Sequence, residues 1–225
     1  MVGCDAVGVA CLSGPVLAAA VAMPVNGRRV TGVRDSKLLS RTQRERLYPR
    51  ILRRAIAVGL GAASVAEIDR LNIYHATTLA MRRAICRIAE REHVLLDGLR
   101  IHGLEAHVGQ YTAIVDGDAH CYTIAAASIV AKVVRDRLMT TLGGRYPGYG
   151  WEHNVGYSTG AHRRGLDERG VTPFHRRSFL RVRTAIYGDQ LSFDIATPEP
   201  NASVDSIATF VGESPPGPMP EHVAI

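Results

Sequence analysis

The amino-acid sequence predicts an α/β fold with one sheet, antiparallel in its first strands and parallel in its later ones. Three largely apolar segments come first, and two long segments of helical periodicity then alternate with two short apolar segments. Consecutive strands tend to pair as hairpins, whereas strands joined through a helix pair in parallel. With 225 residues, of which 46% are hydrophobic, the chain has the size of one domain with an appendage.

The first part of the chain predicts three strands and one helix, over residues 2–9, 15–23, 56–63 and 41–52. The first two strands are apolar almost throughout, which is typical of central strands. Gly14 and Pro15 mark the turn between them, and Ser40 is an N-cap residue directly before the helix.

The next part predicts two helices and two short strands, over residues 73–88, 121–142, 93–96 and 111–115. Asn72 is the predicted N-cap of the first helix, in which apolar and small side chains recur at intervals of three and four. Both short strands end in acidic turns, at Asp97 and at Asp116 to Asp118.

The composition changes towards the end of the chain. Proline, glycine, serine and acidic residues dominate from about Pro198 onward, and such a composition is typical of disorder. We therefore expect a domain with C-terminal helices over residues 1–189 and a disordered acidic tail over residues 190–225.

The charge of the chain points to a polyanionic partner. There are 27 Lys and Arg against 21 Asp and Glu, a net charge of +6. Residues 190–225 hold five acids and no Lys or Arg, so the preceding part contributes +11 of that total. Such a surface favours nucleic acid over an anionic membrane, because no basic amphipathic helix with bulky apolar anchors is present. A basic protein without such a partner is the alternative.

Several features favour the cytoplasm. The longest apolar run, residues 16–24, is far shorter than the roughly 20 residues that span a bilayer. We expect no signal peptide, because no basic leader precedes the first apolar stretch. The four cysteines lack the paired spacing of a zinc site, and we expect them to be free thiols.

Three aspartates fall where strands meet one edge of the predicted sheet. Asp5 lies within the first strand, while Asp97 and Asp118 follow two later strands. Carboxylates gathered at such an edge repel one another unless a cation lies between them, and oxygen ligands suit Mg²⁺ or Mn²⁺. On a basic protein this indicates phosphodiester chemistry. Taken singly, the three aspartates are also compatible with a strand hydrogen bond, a tight turn and a helix N-cap.

The chain is similar to the type 2 ribonuclease H family, ribonuclease HII, from residue 1 to about residue 185. The resemblance rests on a series of blocks in the family's order: Gly3-Cys4-Asp5 with Gly14-Pro15-Val16, Asp35-Ser36-Lys37, Glu67-Ile68-Asp69 through Asn72-Ile73, Ala76-Thr77 to Met81, Asp97-Gly98, Gly117-Asp118-Ala119, Ile124 to Lys132 with Arg135-Asp136, Tyr146-Pro147, Gly156-Tyr157 with Thr159 and His162, and His175-Arg176 with Ser178-Phe179.

The resemblance implies a ribonuclease H-like fold, with a mixed five-stranded sheet flanked by helices and a C-terminal helical portion. It further implies a cytoplasmic endonuclease that uses Mg²⁺ or Mn²⁺. Such an enzyme cuts the RNA strand of RNA/DNA hybrids and single ribonucleotides embedded in duplex DNA.

Asp5, Asp97 and Asp118 match three of the four acidic positions that are catalytic and hold the metals in the family. The fourth position, a glutamate directly after the first aspartate, is Ala6 here. The family's following Gly-Arg-Gly, whose backbone approaches the strand around the ribonucleotide, becomes Gly8-Val9-Ala10. An alanine offers no oxygen ligand, and a valine has no guanidinium for a phosphate.

Of the other substrate contacts that the resemblance implies, some are retained and one is lost. Tyr157 matches the tyrosine that stacks on the sugar and senses the 2′-hydroxyl, the group that distinguishes RNA from DNA. Where the family often has lysine before this Gly-Tyr pair, the chain has Val155. Lys37 and Lys132 are the only lysines and both fall inside family blocks. Candidates for contacts to the nucleic-acid backbone are Arg82, Arg83, Arg135, Arg176 and Arg177, with solvated helix faces as the alternative for the first three.

Three functions compete at this point. The chain is a metal-dependent endoribonuclease, or a catalytically impaired relative that binds hybrid or ribonucleotide-containing DNA, or a basic protein without a nucleic-acid role. Asp116 is a conceivable replacement for the lost glutamate if its strand continues that far. Residues 190–193, Gln-Leu-Ser-Phe, faintly resemble a sliding-clamp peptide, for which a helix end is the alternative. We expect a monomer.

Overall fold

The computed structural model describes residues 1–188 as a mixed five-stranded sheet between two groups of helices. These residues belong to one compact unit, Met1–Asp189. The predicted tail and the clamp-like peptide at residues 190–193 lie outside the described residues.

The sheet has the strand order β3-β2-β1-β4-β5. Its strands are β1 (Val2–Val7), β2 (Val16–Ala22), β3 (Ala57–Ala63), β4 (Val94–Asp97) and β5 (Tyr111–Ile114). The first three pair antiparallel, and β1–β4 and β4–β5 pair in parallel. This confirms the predicted arrangement, and each strand lies within about two residues of its predicted bounds.

Two apolar cores lie on opposite faces of this sheet. The helices of the first part are α1 (Arg41–Arg54), α2 (Val65–Cys86), α3 (Glu105–Val108), α4 (Gly117–His120) and α5 (Tyr122–Arg145). Even-numbered residues of β2 pack towards α2, and its odd-numbered residues pack towards α1 and α5. A strand alternates its side chains between faces, so a fully apolar β2 is what a central strand with two covered faces requires.

The helix predicted from residue 73 begins earlier in the structure. Asn72 has φ 67° and interrupts α2, and its Oδ1 accepts a hydrogen bond from the N–H of His75 at 3.2 Å. Asn72 therefore caps the second segment, as predicted. The turns of α2 before residue 72 are not part of the predicted helix. They follow a capping box in which Ser64 and Glu67 each accept a hydrogen bond from the other's N–H. Ser40 forms a similar capping box with Gln43 at the start of α1.

The C-terminal helical portion comprises α6 (Trp151–Asn154), α7 (Gly160–Arg169) and α8 (Leu180–Tyr187). The short helix α6 packs near the end of α5 around the buried Trp151 and Met139, whereas Leu166 of α7 and Val182 of α8 pack with Leu12. Within residues 1–188 no helix is long and apolar enough to cross a membrane.

Candidate active site

The carboxylates of the candidate site come from neighbouring elements of the sheet. Asp5 lies on β1, and Asp97 is the last residue of β4, the parallel neighbour of β1. Asp118 lies in the short helix α4, just beyond β5. The carboxyl ends of parallel strands meet at one edge of a sheet, which is why residues so distant in sequence share one site.

A cavity of about 260 Å³ opens between the start of the chain and α5. It brings together nine of the residues that the sequence singles out, namely Asp5, Ala6, Gly8, Val9, Ala10, Lys37, Asp97, Lys132 and Tyr157. Val7, Ser36, Arg44 and Ser128 also line it. Asp118 lines a different cavity, and its link to this one is a hydrogen bond from Lys37, which lines this cavity.

The environment of Asp5 disfavours its charged form. Burial and the negative charges of Asp97 and Asp118 raise the pKa of Asp5 to about 7. The Ser128 hydroxyl and the N–H of Ala6 act in the opposite direction, and the latter donates to Asp5 Oδ1 at 2.6 Å. The three carboxylates are therefore close enough to repel one another.

Asp118 is compensated by a lysine. Its side chain is buried, and burial together with Asp35 and Asp97 raises its pKa. The Lys37 ammonium donates to Asp118 Oδ2 at 3.2 Å, while its own side chain is 73% exposed. Partial burial opposes the charge of this ammonium, but Asp118, Asp35 and Asp5 raise the pKa of Lys37 above its usual value. An exposed lysine thus supplies positive charge beside the carboxylates, which repel one another.

The donor chemistry of the three aspartates fits a hard divalent cation. All three offer carboxylate oxygens, the ligands that Mg²⁺ and Mn²⁺ prefer, and their mutual repulsion would be relieved by a cation. Within residues 1–188, however, no three His, Cys, Asp or Glu side chains are arranged around a common point as a metal would require. The residues are the right chemical type, but the side chains are not assembled into a coordination shell.

The segment after β1 forms the rim of the cavity. Gly8 is buried with φ 84°, and a Cβ there would overlap the guanidinium of Arg135. Val9 and Ala10 are exposed at the rim. Position 8 therefore needs glycine, whereas position 9 presents an apolar side chain where a cation would suit phosphate.

Two predicted phosphate contacts, Arg135 and Arg176, are buried instead. Arg176 donates to the carbonyls of Gly8, Val9 and Gly14, at 2.6, 2.8 and 3.0 Å. Burial, with the nearby charge of Arg135, lowers the pKa of Arg176 to about 10. The prediction that Arg176 contacts substrate directly is thus not supported, because its donors are used on the protein backbone.

Arg83 is also occupied, because its guanidinium pairs with Glu67 at 2.7 and 3.0 Å. Asp116 does not extend β5, which ends at Ile114. Its φ of 53° breaks the alternation that would align it with Asp118.

Tyr157 lines the same cavity as Asp5 and Asp97. The residue is 41% exposed, and the Lys132 ammonium lies 5.5 Å from its ring centroid. Lys132 donates to Asp136 Oδ1 at 2.7 Å, and Arg44 approaches Asp136 Oδ2 at 3.5 Å. Lys132 is thus held above the ring by a buried carboxylate.

Ser128 and Asp136 are not among the predicted site residues, although both fall inside the family blocks and Lys132 is predicted. Ser128, Lys132 and Asp136 are spaced four apart on α5, so helical periodicity alone places them on one face. That spacing was the available signal for Ser128 and Asp136. The contact of Ser36 with Ser128, at 2.8 Å between hydroxyls, spans 92 residues and has no such signal.

Known proteins resemble this chain in sequence. The family model for ribonuclease HII matches residues 2–182. A ribonuclease HII from Thermosynechococcus vestitus is 55% identical over 181 residues, which cover 80% of this chain and 84% of that protein. The chain belongs to the ribonuclease HII family.

Two solved structures of related ribonucleases share the fold of this chain. The ribonuclease HII in the PCNA:RNase HII complex from Archaeoglobus fulgidus is 27% identical, with a TM-score of 0.68, and the match covers 78% of this chain and 92% of that one. Bst-RNase HIII in complex with Mn²⁺ is 20% identical, with a TM-score of 0.61, and the match covers 82% of this chain and 68% of that one. The predicted ribonuclease H-like sheet is confirmed.

Proposed function

We propose that this chain is a metal-dependent endonuclease that cleaves the RNA strand of RNA/DNA hybrids and single ribonucleotides in duplex DNA. One observation carries the proposal, which is that a single cavity joins Asp5 and Asp97 to Lys132 and Tyr157. Cleavage at a ribonucleotide needs carboxylates that bind a metal ion, positively charged side chains that bind phosphate, and an aromatic ring that contacts the sugar.

Each group has a proposed task. Asp5, Asp97 and Asp118 hold Mg²⁺ or Mn²⁺, which when bound supplies charge to the scissile phosphate and activates water. Lys37 and Lys132 bind phosphate oxygens as compact point charges. Tyr157 stacks on the sugar beside the 2′-hydroxyl. The backbone of Gly8, Val9 and Ala10 approaches the strand at the rim.

A second candidate function follows from Ala6. It lines the cavity, yet it carries no oxygen where the family has a glutamate. Together with Val9 and Ala10, this change favours a protein that binds ribonucleotide-containing duplexes while cleaving them slowly.

One assay separates the two candidates. The chain is incubated with a hybrid, a duplex with one ribonucleotide and an all-DNA duplex, each with Mg²⁺ and with Mn²⁺. The enzyme cleaves the first two at the ribonucleotide and leaves the third intact, and Asp97→Asn abolishes cleavage. Binding without cleavage in either metal supports the impaired protein. Equal affinity for all three duplexes together with no cleavage contradicts both.

Location and assembly complete the proposal. The four cysteines are free thiols, which supports a reducing compartment such as the cytoplasm. We propose a monomer that acts in DNA repair, since removal of a ribonucleotide from a duplex is a repair step. Docking of residues 190–193 on a sliding clamp is proposed from their sequence.

A further inference from the structure

Two segments of the candidate site lie side by side, although about 140 residues separate them. The rim loop, residues 8–15, connects β1 to β2, and residues 154–157 lead to Tyr157. The N–H of Leu12 donates to the carbonyl of Gly156 at 2.9 Å. A Cβ on Gly156 would lie 2.8 Å from the Ser13 carbonyl oxygen, so the two backbones touch. Both segments also line the candidate site, because Gly8, Val9 and Ala10 of the rim loop face the same cavity as Tyr157.

Arg135 ties the two segments together. Its side chain is fully buried, and it donates to the carbonyls of Ser13, Pro15 and Val155 at 3.1, 3.0 and 2.8 Å. Two of these acceptors belong to the rim loop and the third precedes Gly156. Within residues 1–188, no carboxylate forms an ion pair with Arg135. All three nitrogens of the fork are therefore used to hold backbone.

The backbone before Tyr157 is strained. Val155 has φ 45°, a region that β-branched residues avoid, and Gly156 follows with φ 92°. Such strain persists only where surrounding contacts impose it. The hydrogen bond from Arg135 to the Val155 carbonyl is one of those contacts, and Asn154 Oδ1 accepts from Gly156 N–H at 2.9 Å.

A buried histidine holds the carbonyl of Tyr157 itself. Thr172 N–H donates to His175 Nδ1 at 2.9 Å, which leaves the His175 proton on Nε2. His162 Nε2 then accepts from His175 at 3.1 Å and from Trp151 Nε1 at 3.1 Å. The proton of His162 must therefore be on Nδ1, which donates to the Tyr157 carbonyl at 2.9 Å.

We propose that Arg135 and His162 are positioning residues that hold Tyr157 at a fixed distance from the rim loop and thereby set the preference for a ribonucleotide over a deoxyribonucleotide. This inference rests on the proposed function, in which Tyr157 contacts the sugar. Neither side chain reaches the substrate, because both are buried behind the segments that they hold. A misplacement of about 1 Å can cost a factor of about 10² in rate at a catalytic site, and we expect the spacing between Tyr157 and the rim loop to affect sugar discrimination in the same way.

The test measures discrimination in binding by the full chain. Dissociation constants are measured by fluorescence anisotropy, in a chelator to prevent cleavage, for a duplex with one ribonucleotide and for the same duplex in DNA. Arg135→Lys keeps the charge but loses the three-way fork. The ratio of interest is the dissociation constant of the DNA duplex divided by that of the ribonucleotide-containing duplex. We expect Arg135→Lys to lower this ratio by about tenfold or more, while affinity for the DNA duplex stays within about twofold.

Arg137→Lys is the matched control, because Arg137 lies on the same helix, is exposed and pairs with Glu45. It should leave the ratio unchanged. A second pair of variants does not depend on Arg135. His162→Leu removes the donor to the Tyr157 carbonyl and should lower the ratio, and His162→Asn, whose amide can occupy the Nδ1 position, should restore part of it.

Two results would overturn the inference while leaving the proposed function intact. One is a wild-type preference that Arg135→Lys and His162→Leu both retain within about twofold. The other is an equal loss of affinity for both duplexes, which would mean that these residues only stabilise the fold. If the wild-type chain itself shows no preference in binding, the inference fails, while the proposed function is decided separately by whether the chain cleaves the ribonucleotide-containing duplex.

Discussion

At the scale of single residues, the site is defined as much by Ala6 as by the aspartates. Ala6 follows Asp5 on β1, and both residues line the cavity that also holds Asp97. A longer side chain at position 6 would therefore extend into this cavity. We predict that Ala6→Glu raises cleavage of a ribonucleotide-containing duplex by about 10²-fold, because an added carboxylate strengthens charge stabilisation at the reacting phosphate. Single-turnover rates in Mg²⁺ measure the gain.

The control for this gain is Asp5→Asn placed in the Ala6→Glu background, which should return the rate to background. Adding Val9→Arg and Ala10→Gly should increase the rate further, although the effects of neighbouring changes need not add. Equal rates for the wild type and Ala6→Glu would show that the glutamate is dispensable here.

Metal binding gives a second prediction at this scale. Ligand carboxylates must be deprotonated, and the pKa of Asp5 is raised to about 7. Mg²⁺ should therefore raise the melting temperature clearly at pH 8 and little at pH 5. Asp5→Asn should remove most of the effect at pH 8. A shift of the same size at both pH values would place the cation elsewhere.

At the scale of elements, some of the site follows from sequence and some does not. Asp97 and Asp118 could be placed together because parallel strands end at one edge, a rule that needs only the order of elements. The buried role of Arg135 could not, since its partners Ser13 and Pro15 lie about 120 residues away in sequence. An arginine that holds backbone carbonyls and one that binds phosphate look alike in sequence.

The rim loop supplies a prediction at this scale. Gly8 has φ 84°, and an added Cβ would overlap Arg135, whereas Gly103 has φ 76° with open space around it. Gly8→Ala should lower the free energy of unfolding by about 2–4 kcal/mol, through backbone strain and overpacking. Gly103→Ala should cost only the strain, about 1 kcal/mol. Urea denaturation compares the two variants. Equal losses in the free energy of unfolding would mean that Arg135 moves aside for the added Cβ at no cost.

At the scale of the whole molecule, two buried groups oppose each other in pH dependence. Burial raises the pKa of Asp5 to about 7, so the native state binds its proton more tightly and stability falls as pH rises from about 4 to 7. Burial, with the electrostatic effect of the neighbouring His162, lowers the pKa of His175 to about 3, so stability falls as pH decreases from about 6.5. Each slope approaches about 1.4 kcal/mol per pH unit.

These slopes should nearly cancel in the wild type between pH 4.5 and 6.5, roughly the interval in which both groups titrate differently in the folded and unfolded states. Asp5→Asn removes one slope, and its stability should fall with acid. His175→Leu removes the other, and its stability should fall as pH rises. Urea denaturation in the chelator across this range measures both. Parallel profiles for the two variants would contradict the assignment.

The distribution of charge over the whole chain leads to the last prediction. Residues 1–189 carry a net charge of +11, and the five acids of residues 190–225 reduce the total to +6. Duplex affinity should fall steeply with salt, with a log–log slope steeper than about −3, because each neutralised phosphate contributes about −0.9. The full chain with Asp194→Asn, Glu199→Gln, Asp205→Asn, Glu213→Gln and Glu221→Gln should bind several-fold more tightly at low salt. The two chains should converge above about 0.5 M salt, where the Debye length is only a few ångströms. A gain that persists at high salt would mean that these acids act through a specific contact instead of through their charge.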